Sequence, residues 1–148
     1  MKTLKTLFVL LLCLTTAATR AQPASKQKLF TNYPETIQLS KNILQNALTV
    51  NEGEEVVITF SNEFSFKGTV LSNQKKYDNL QSVMIRSAVF KNAILQLSRI
   101  INADKSISYA GRIINPEAGD GYQVKKGKDN TYSLVKFETN KILQDCSY

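Results

Sequence analysis

The chain has 148 residues, of which 19 are Lys or Arg and 12 are Asp or Glu, giving a formal net charge of +7 at pH 7. It contains no histidine, which excludes the imidazole-based catalytic triads and the usual histidine-containing zinc sites. Its six glycines lie scattered along the chain and form no glycine-rich phosphate-binding loop.

The first 21 residues have the pattern of a secretory signal peptide. Lys2 and Lys5 precede an unbroken apolar run, Leu7 to Leu14, and the small residues that follow end in Thr19-Arg20-Ala21. The apolar run is too short to span a bilayer, which takes about 20 residues. We therefore expect cleavage after Ala21, export to the periplasm or the cell exterior, and no transmembrane segment in the mature chain.

Removal of the 21 residues would leave 127 of the 148, which is the length of one domain. Three basic residues and no acidic residue are lost with the signal peptide, so the net charge of the mature chain falls to +4. Cys146 remains as a single cysteine, so we expect no internal disulfide, and either an unpaired thiol or an intermolecular bond. We divide the mature chain into a disordered leader, residues 22–29, and one β-rich domain, residues 30–148.

One short helix is predicted near the N-terminus, from Lys41 to about Leu48. Ser40 can cap it, and Leu39 can pack on Leu44 as a hydrophobic staple. Leu44 and Leu48 then share one face of the helix. Because such a short helix is not stable alone, it must dock on another element.

Seven later segments have the alternation or the apolar runs that are typical of strands. The last three lie between Ser106 and Phe137 and are joined by two polar turns, Gly119-Asp120-Gly121 and residues 127–130. The segment 93–101 also favours a helix by composition, but a tight link leads from it straight into the next strand, so we predict a strand. The seven predicted strands are Glu54–Phe60, Phe64–Leu71, Leu80–Arg86, Ala93–Ile101, Ile107–Ile114, Tyr122–Lys126 and Thr131–Phe137.

The short links between these segments favour antiparallel neighbours. Ser72 to Asp78 is predicted to be a polar connection, and Gly68 predicts either a bulge or the close approach of another backbone. We predict a mainly β fold, or more broadly an α+β fold, built as an antiparallel meander of about seven strands with one short N-terminal helix. The sheet either curls with the helix packed on one face or closes into a small barrel.

Two groups of acidic and amide side chains were weighed as chemical sites. Glu52, Glu54 and Glu55 are contiguous and alternate in direction, so they form no carboxylate pair across a cleft, and we interpret them as a solvated start of a strand. A calcium site in the loop with Asn115, Glu117 and Asp120 is less favoured than a plain polar loop, because the spacing does not match an EF-hand. We therefore predict no catalytic residue, no metal and no cofactor, with a histidine-free enzyme as a minor alternative.

Two candidate binding regions remain. Lysines interleaved with tyrosines near the last hairpin resemble platforms for single-stranded nucleic acid, but export argues against nucleic acid and favours an acidic partner or a polysaccharide. Lysines at hairpin tips also protect sheets from aggregation. The candidate partner surface consists of Lys125, Lys126, Lys128, Lys136, Tyr122 and Tyr132, with Lys141 nearby. If the sheet closes into a barrel, an apolar ligand could be lined by Phe66, Ile85, Leu97 and Tyr109, together with Tyr132.

Several short motifs also carry a resemblance, which covers roughly Phe30 to Cys146. They are Phe64-Ser65-Phe66-Lys67-Gly68-Thr69-Val70, Tyr109-Ala110-Gly111, Asp120-Gly121-Tyr122, Tyr132-Ser133-Leu134-Val135-Lys136 and Asp145-Cys146. With these motifs the chain resembles β-rich domains of secreted Gram-negative bacterial proteins, including the region before the catalytic domain of some secreted metallopeptidases. The resemblance implies a propeptide-like or accessory domain. It transfers no catalytic residue, since the chain has no His-Glu-x-x-His motif.

The sequence therefore predicts an exported, non-catalytic domain that acts by binding. A protein partner, such as a secreted peptidase, is favoured over an apolar ligand carried inside a small barrel.

Overall fold

A computed structural model describes residues 26–139, which form one eight-stranded antiparallel sheet and one short helix. The sheet curls into a half-barrel, so the predicted β class and the curled sheet are confirmed. The predicted signal peptide, the first part of the leader, Lys141 and Cys146 lie outside the described residues. The elements are β1 Thr36–Leu39, α1 Lys41–Asn46, β2 Glu55–Thr59, β3 Ser65–Tyr77, β4 Leu80–Ser87, β5 Ile94–Ile101, β6 Ile107–Ile114, β7 Asp120–Lys126 and β8 Tyr132–Glu138.

Strands β2 to β8 form the predicted meander, in which each strand pairs with the next along the chain. Strand β1 instead pairs with β8, in a register that runs from Thr36 opposite Val135 to Leu39 opposite Tyr132. Strands β1 and β2 are therefore the two edges of the sheet. Strand β8 lies between β1 and β7 and is therefore not an edge of the sheet.

Three sequence predictions about strands were wrong. The structure has eight strands instead of about seven, because β1 is too short to show a periodic pattern and is formed by pairing with the distant β8. Strand β3 continues through the predicted polar connection as far as Tyr77, because its polar residues pair with β4 and need no apolar alternation. Strand β7 begins at Asp120, which pairs with Glu138, so the turn lies before the predicted position.

The helix forms where it was predicted, although it ends at Asn46. The Ser40 hydroxyl accepts a hydrogen bond from the Ile43 amide at 3.3 Å, which is the expected N-cap. Beyond the helix, the Leu48 carbonyl accepts hydrogen bonds from the side-chain amides of Asn73 and Gln81, each at 2.9 Å. The long β3–β4 hairpin therefore anchors the chain that leaves the helix.

The hydrophobic core lies between one face of the sheet, which we call the inner face, and the N-terminal chain with α1. Phe30 lies at its centre with no exposed surface and contacts four rings, with centroid distances from 5.1 to 6.4 Å. Aromatic pairs in such tilted and edge-on geometries add stabilisation beyond the burial of their area. The buried aromatic residues of the core are Phe30, Phe60, Phe64, Phe66, Phe90, Tyr109, Tyr122 and Tyr132.

The chain before β1 runs along the sheet and contacts it at several points. The Gln27 carbonyl accepts a hydrogen bond from the Gly119 amide at 3.0 Å, and the Lys28 ammonium pairs with the Glu138 carboxylate at 2.7 Å. Residues 26–29 of the predicted leader thus contact the β-rich domain. No helix within residues 26–139 is long and apolar enough to cross a bilayer.

Candidate functional site

The structure separates the lysines of the predicted partner surface. Lys125, Lys126 and Lys128 are exposed at the β7–β8 hairpin, in agreement with a surface role. The Lys136 side chain is only 9% exposed, and its ammonium donates hydrogen bonds to the Tyr33 carbonyl at 2.7 Å and to a carboxylate oxygen of Glu35 at 2.8 Å. Lys136 therefore fastens the N-terminal chain to β8.

The two tyrosines of that predicted surface are buried. The Tyr122 hydroxyl donates to the Pro34 carbonyl at 2.5 Å, and the Tyr132 hydroxyl accepts from the Tyr109 amide at 3.2 Å. Both residues lie on the inner face, together with Val124 of β7 and Leu134 of β8, which are also buried. Of the predicted partner surface, only Lys125, Lys126 and Lys128 are therefore exposed, and neither of the predicted tyrosines is exposed beside them.

The four residues predicted to line an apolar ligand site belong to the core. Phe66, Ile85 and Leu97 have at most 1% of their surface exposed, and Tyr109 has 9%. The Phe66 ring stacks on the ring of Phe90 at 6.0 Å between centroids. None of the four lines any of the three cavities described below. These side chains fill the inside of the half-barrel by packing on one another.

The polar loop between β6 and β7 uses its side chains to hold the backbone. Both carboxylate oxygens of Asp120 accept hydrogen bonds, from the Leu29 amide at 2.6 Å and the Phe30 amide at 3.0 Å. The Asn115 side chain donates to the Lys91 carbonyl at 2.8 Å and accepts from the Glu117 amide at 2.9 Å. Within residues 26–139, no group of three or more acidic or cysteine side chains is placed to hold a metal ion.

The acidic residues before β2 are exposed, as expected for a solvated start of a strand. The Glu54 carboxylate accepts hydrogen bonds from the side-chain amide and the backbone amide of Asn51, both at 2.9 Å. These hydrogen bonds favour the ionised form and lower the pKa of Glu54. Glu54 therefore closes the turn before the strand.

A polar cavity of about 430 Å³ opens beside the N-terminal chain. Its two ammonium groups already have carboxylate partners within the chain, because Lys28 pairs with Glu138 at 2.7 Å and Lys136 pairs with Glu35 at 2.8 Å. The hydrogen bond to Glu138 and the negative charge of that residue raise the pKa of Lys28. Both ammonium groups that line this cavity are therefore already paired with carboxylates. Among the described lining residues, no unpaired cation is left to bind an anionic ligand.

A second cavity, which we call the outer groove, lies on the opposite face of the sheet and has a volume of about 460 Å³. Its floor is apolar: Ile114 of β6 lies opposite Gly121 of β7, and Gly121 lies opposite Phe137 of β8. A β-carbon at Gly121 would lie 2.8 Å from the Phe137 ring, so the missing side chain lets this ring lie across β7. The outer groove is lined by Lys26, Arg112, Ile114, Pro116, Gln123, Phe137 and Thr139.

A third cavity, of about 410 Å³, continues the same face and shares Pro116 with the outer groove. It is lined by Ile94, which lies opposite Ile114, and by Arg86, which lies opposite Ile94. A row of apolar side chains therefore crosses the outer face, with cations beside it and the carboxylate of Glu117 at the third cavity. Sequence reasoning missed this face, although the alternation of Arg112 and Ile114 with buried Ile113 was a visible signal of it.

Comparison with known proteins identifies no relative of this chain. No protein-family model matches it, no curated protein matches it, and no solved structure matches it. The function is therefore argued from the residues of the chain itself.

Proposed function

We propose that this protein is an exported, non-catalytic domain that acts by binding another protein at its surface. The observation that carries the proposal is the filled inner face. The side chains that would line an internal ligand site, Phe66, Ile85 and Leu97, are buried members of the hydrophobic core cluster. The cavities described above open at the surface of the domain instead.

The distribution of polar groups also supports binding over chemistry. The carboxylates of Asp120 and Glu54 accept hydrogen bonds from backbone amides, and Glu35 pairs with Lys136. Carboxylates engaged in this way stabilise the fold and are poorly placed to act as a base. The resemblance to the region before the catalytic domain of secreted metallopeptidases names a secreted peptidase as one kind of partner.

The alternative function, carriage of an apolar ligand inside the sheet, would require space that the aromatic cluster now occupies. Phe30 would have to leave its position among Phe64, Phe90 and Tyr122 before a ligand could enter. Because Phe30 has no exposed surface, that movement would open the core itself. The packing therefore favours binding at the surface, and the alternative stays a prediction that the same experiment tests.

The test is a capture experiment with the mature chain, residues 22–148, as bait in the secreted fraction of its own source. Proteins and small molecules in the eluate are identified together by mass spectrometry. We expect one protein in stoichiometric amount, recovered again in the reverse experiment with that protein as bait. Lys128→Glu tests whether the exposed hairpin lysines take part in binding, because it reverses one charge without touching the core.

Three results would contradict the proposal. The first is capture of no protein. The second is a hydrolase activity of the purified chain that disappears on changing Glu54, Glu117 or Asp120 while the fold is retained. The third is recovery of a lipid in stoichiometric amount with no protein, which would support the internal ligand instead.

A further inference from the structure

The outer groove combines an apolar floor with cations that have no acidic partner among residues 26–139. We propose that it binds an extended segment of a partner protein in which a carboxylate lies next to a large apolar side chain. This inference rests on the proposed function and deepens it, because it names the surface that binds and the chemistry of the segment that is bound.

The floor of the groove supplies the apolar half of the recognition. Ile114 and Phe137 are half-buried and both line the groove, and the Phe137 ring lies across Gly121, the residue of β7 that pairs with both of them. A volume of about 460 Å³ falls in the range of about 300–1,000 Å³ that is typical of binding pockets. The groove therefore has room for an apolar side chain together with the neighbouring backbone.

The rim supplies the charged half. The Arg112 guanidinium makes no hydrogen bond or ion pair with any residue in the described part of the chain, and Lys26 donates only to a neutral acceptor, the Pro116 carbonyl, at 2.6 Å. None of the described residues that line the groove is acidic. Guanidinium groups bind carboxylates through two parallel hydrogen bonds, which are stronger when they are partly shielded from water. An unpaired arginine beside an apolar recess is thus complementary to a carboxylate beside an apolar side chain.

The shape of the groove favours a peptide segment over the other surfaces that could meet it. A membrane needs apolar side chains that protrude, whereas here Ile114 and Phe137 are half-buried and share the groove with the charged side chains of Lys26 and Arg112. A second copy that met this surface with its own outer groove would bring like charges together, since Lys26 and Arg112 line that groove and none of its described residues is acidic. The hairpin lysines are cationic but line none of the three cavities.

A selection from a library of random peptides, with the mature chain as bait, tests the inference without a known partner. We expect the enriched peptides to carry Asp or Glu within a few residues of Leu, Ile or Phe. Arg112→Glu should weaken binding of a selected peptide about tenfold or more, because it replaces an attraction by a repulsion. Ile114→Thr should weaken it about threefold by removing apolar contact while keeping a β-branched side chain.

Lys76→Glu is the matched control, since it changes the net charge by the same amount at an exposed lysine of β3 that lines none of the three cavities. It should leave the affinity within about twofold of the wild type, because a distant exposed charge is screened at physiological salt. Circular dichroism and thermal unfolding establish that each variant is folded. Arg112→Gln replaces Arg112→Glu if the charge reversal weakens the fold.

Three outcomes would overturn the inference: no peptide is enriched, the selected peptides lose binding with Lys76→Glu and not with Arg112→Glu, or the chain binds vesicles of anionic phospholipid through Arg112 and binds no peptide. The failure of the proposed function is distinct from these. If the Arg112→Glu variant still captures a secreted partner, the proposed function is retained. The outer groove is then not the surface that binds this partner. Capture of no protein removes the proposed function itself.

Discussion

Individual polar side chains hold the N-terminal chain against the sheet at buried positions. Asp120, which is only 1% exposed, accepts hydrogen bonds from the amides of Leu29 and Phe30, and the Tyr122 hydroxyl donates to the Pro34 carbonyl. Each bond satisfies a group whose burial without a partner would cost about 1–3 kcal/mol. A residue that the sequence offered as a calcium ligand therefore has a structural role in this fold.

Because the phenol of Tyr122 is buried, the free energy of unfolding should depend on pH in the alkaline range. Burial, and to a smaller extent the negative charges of Glu35 and Asp120, raise the pKa of Tyr122 from its ordinary 10.0 to about 12. The unfolded chain releases this proton near the ordinary pKa, while the folded chain holds it until about pH 12. The free energy of unfolding should therefore fall as the pH rises through this window, and Tyr122→Phe should reduce that fall. Urea unfolding at a series of pH values between the two pKa values measures the effect.

Tyr77→Phe is the control for this experiment. Tyr77 is 69% exposed, so removal of its hydroxyl should leave the pH dependence of the wild type unchanged. An equal loss of stability with pH in Tyr122→Phe and in the wild type would show that the phenol of Tyr122 is not the group responsible.

At the scale of the elements, a close contact between the backbones of two strands explains why position 68 is a glycine. The sequence predicted either a bulge or a close approach at Gly68, and the structure confirms the close approach, because a β-carbon there would lie 2.1 Å from the Arg86 carbonyl oxygen. The two irregularities in the pairing of β3 with β4 lie instead between Val70 and Ser72 and between Lys75 and Tyr77. The pleat of β3 thus brings its backbone against β4 at a position where only glycine fits.

Gly68→Ala should therefore force β3 and β4 apart. We expect it to lower the free energy of unfolding by about 3 kcal/mol or more, or to prevent folding, because the atom in the way belongs to backbone and cannot turn aside. Urea unfolding followed by circular dichroism measures the change. Thr69→Ala, on the exposed side of the same strand, should cost less than about 1 kcal/mol. Equal unfolding midpoints for the two variants would disprove the close approach.

At the scale of the whole molecule, the N-terminal chain and α1 complete the core that the curved sheet leaves open. Phe30 packs on Phe90 at 5.1 Å and on Tyr122 at 5.2 Å between ring centroids, so it joins the chain before β1 to side chains from the body of the sheet. The pairing of β1 with β8 then brings the two ends of the described chain together. Such contacts between distant residues make the domain one cooperative unit.

Phe30→Ala should weaken the entire domain rather than only its N-terminal end. We expect a loss of about 3–5 kcal/mol in the free energy of unfolding, since a fully buried ring is removed and a cavity is left. The loss should appear in one transition, observed both by circular dichroism and by tyrosine fluorescence. Tyr77→Ala removes an exposed ring and should change the free energy of unfolding by less than about 1 kcal/mol. A Phe30→Ala variant as stable as Tyr77→Ala would show that this segment does not contribute to the core.

Part of the fold and little of the candidate site could be predicted from the sequence. The strands β4 to β6 and the helix cap at Ser40 were placed nearly correctly, because alternation and capping are local. The prediction for the partner surface mixed exposed lysines with buried tyrosines. A period of two shows that residues alternate between faces, but it does not tell which face the rest of the chain will cover. For the same reason the outer groove was missed.

By itself, the sequence determined the class of the fold, the antiparallel order of the meander, the start of the helix and the exclusion of histidine chemistry, because these depend on residue types and on neighbours in the chain. Only the tertiary structure decided that β1 lies beside β8, that Tyr122 and Lys136 hold the N-terminal chain, and that Arg112 lies in an apolar groove without an ion-pair partner among residues 26–139. These features arise from the curvature of the sheet and from contacts between residues that are far apart in the chain. Local patterns carry no information about such contacts, and the packing of the whole domain establishes them.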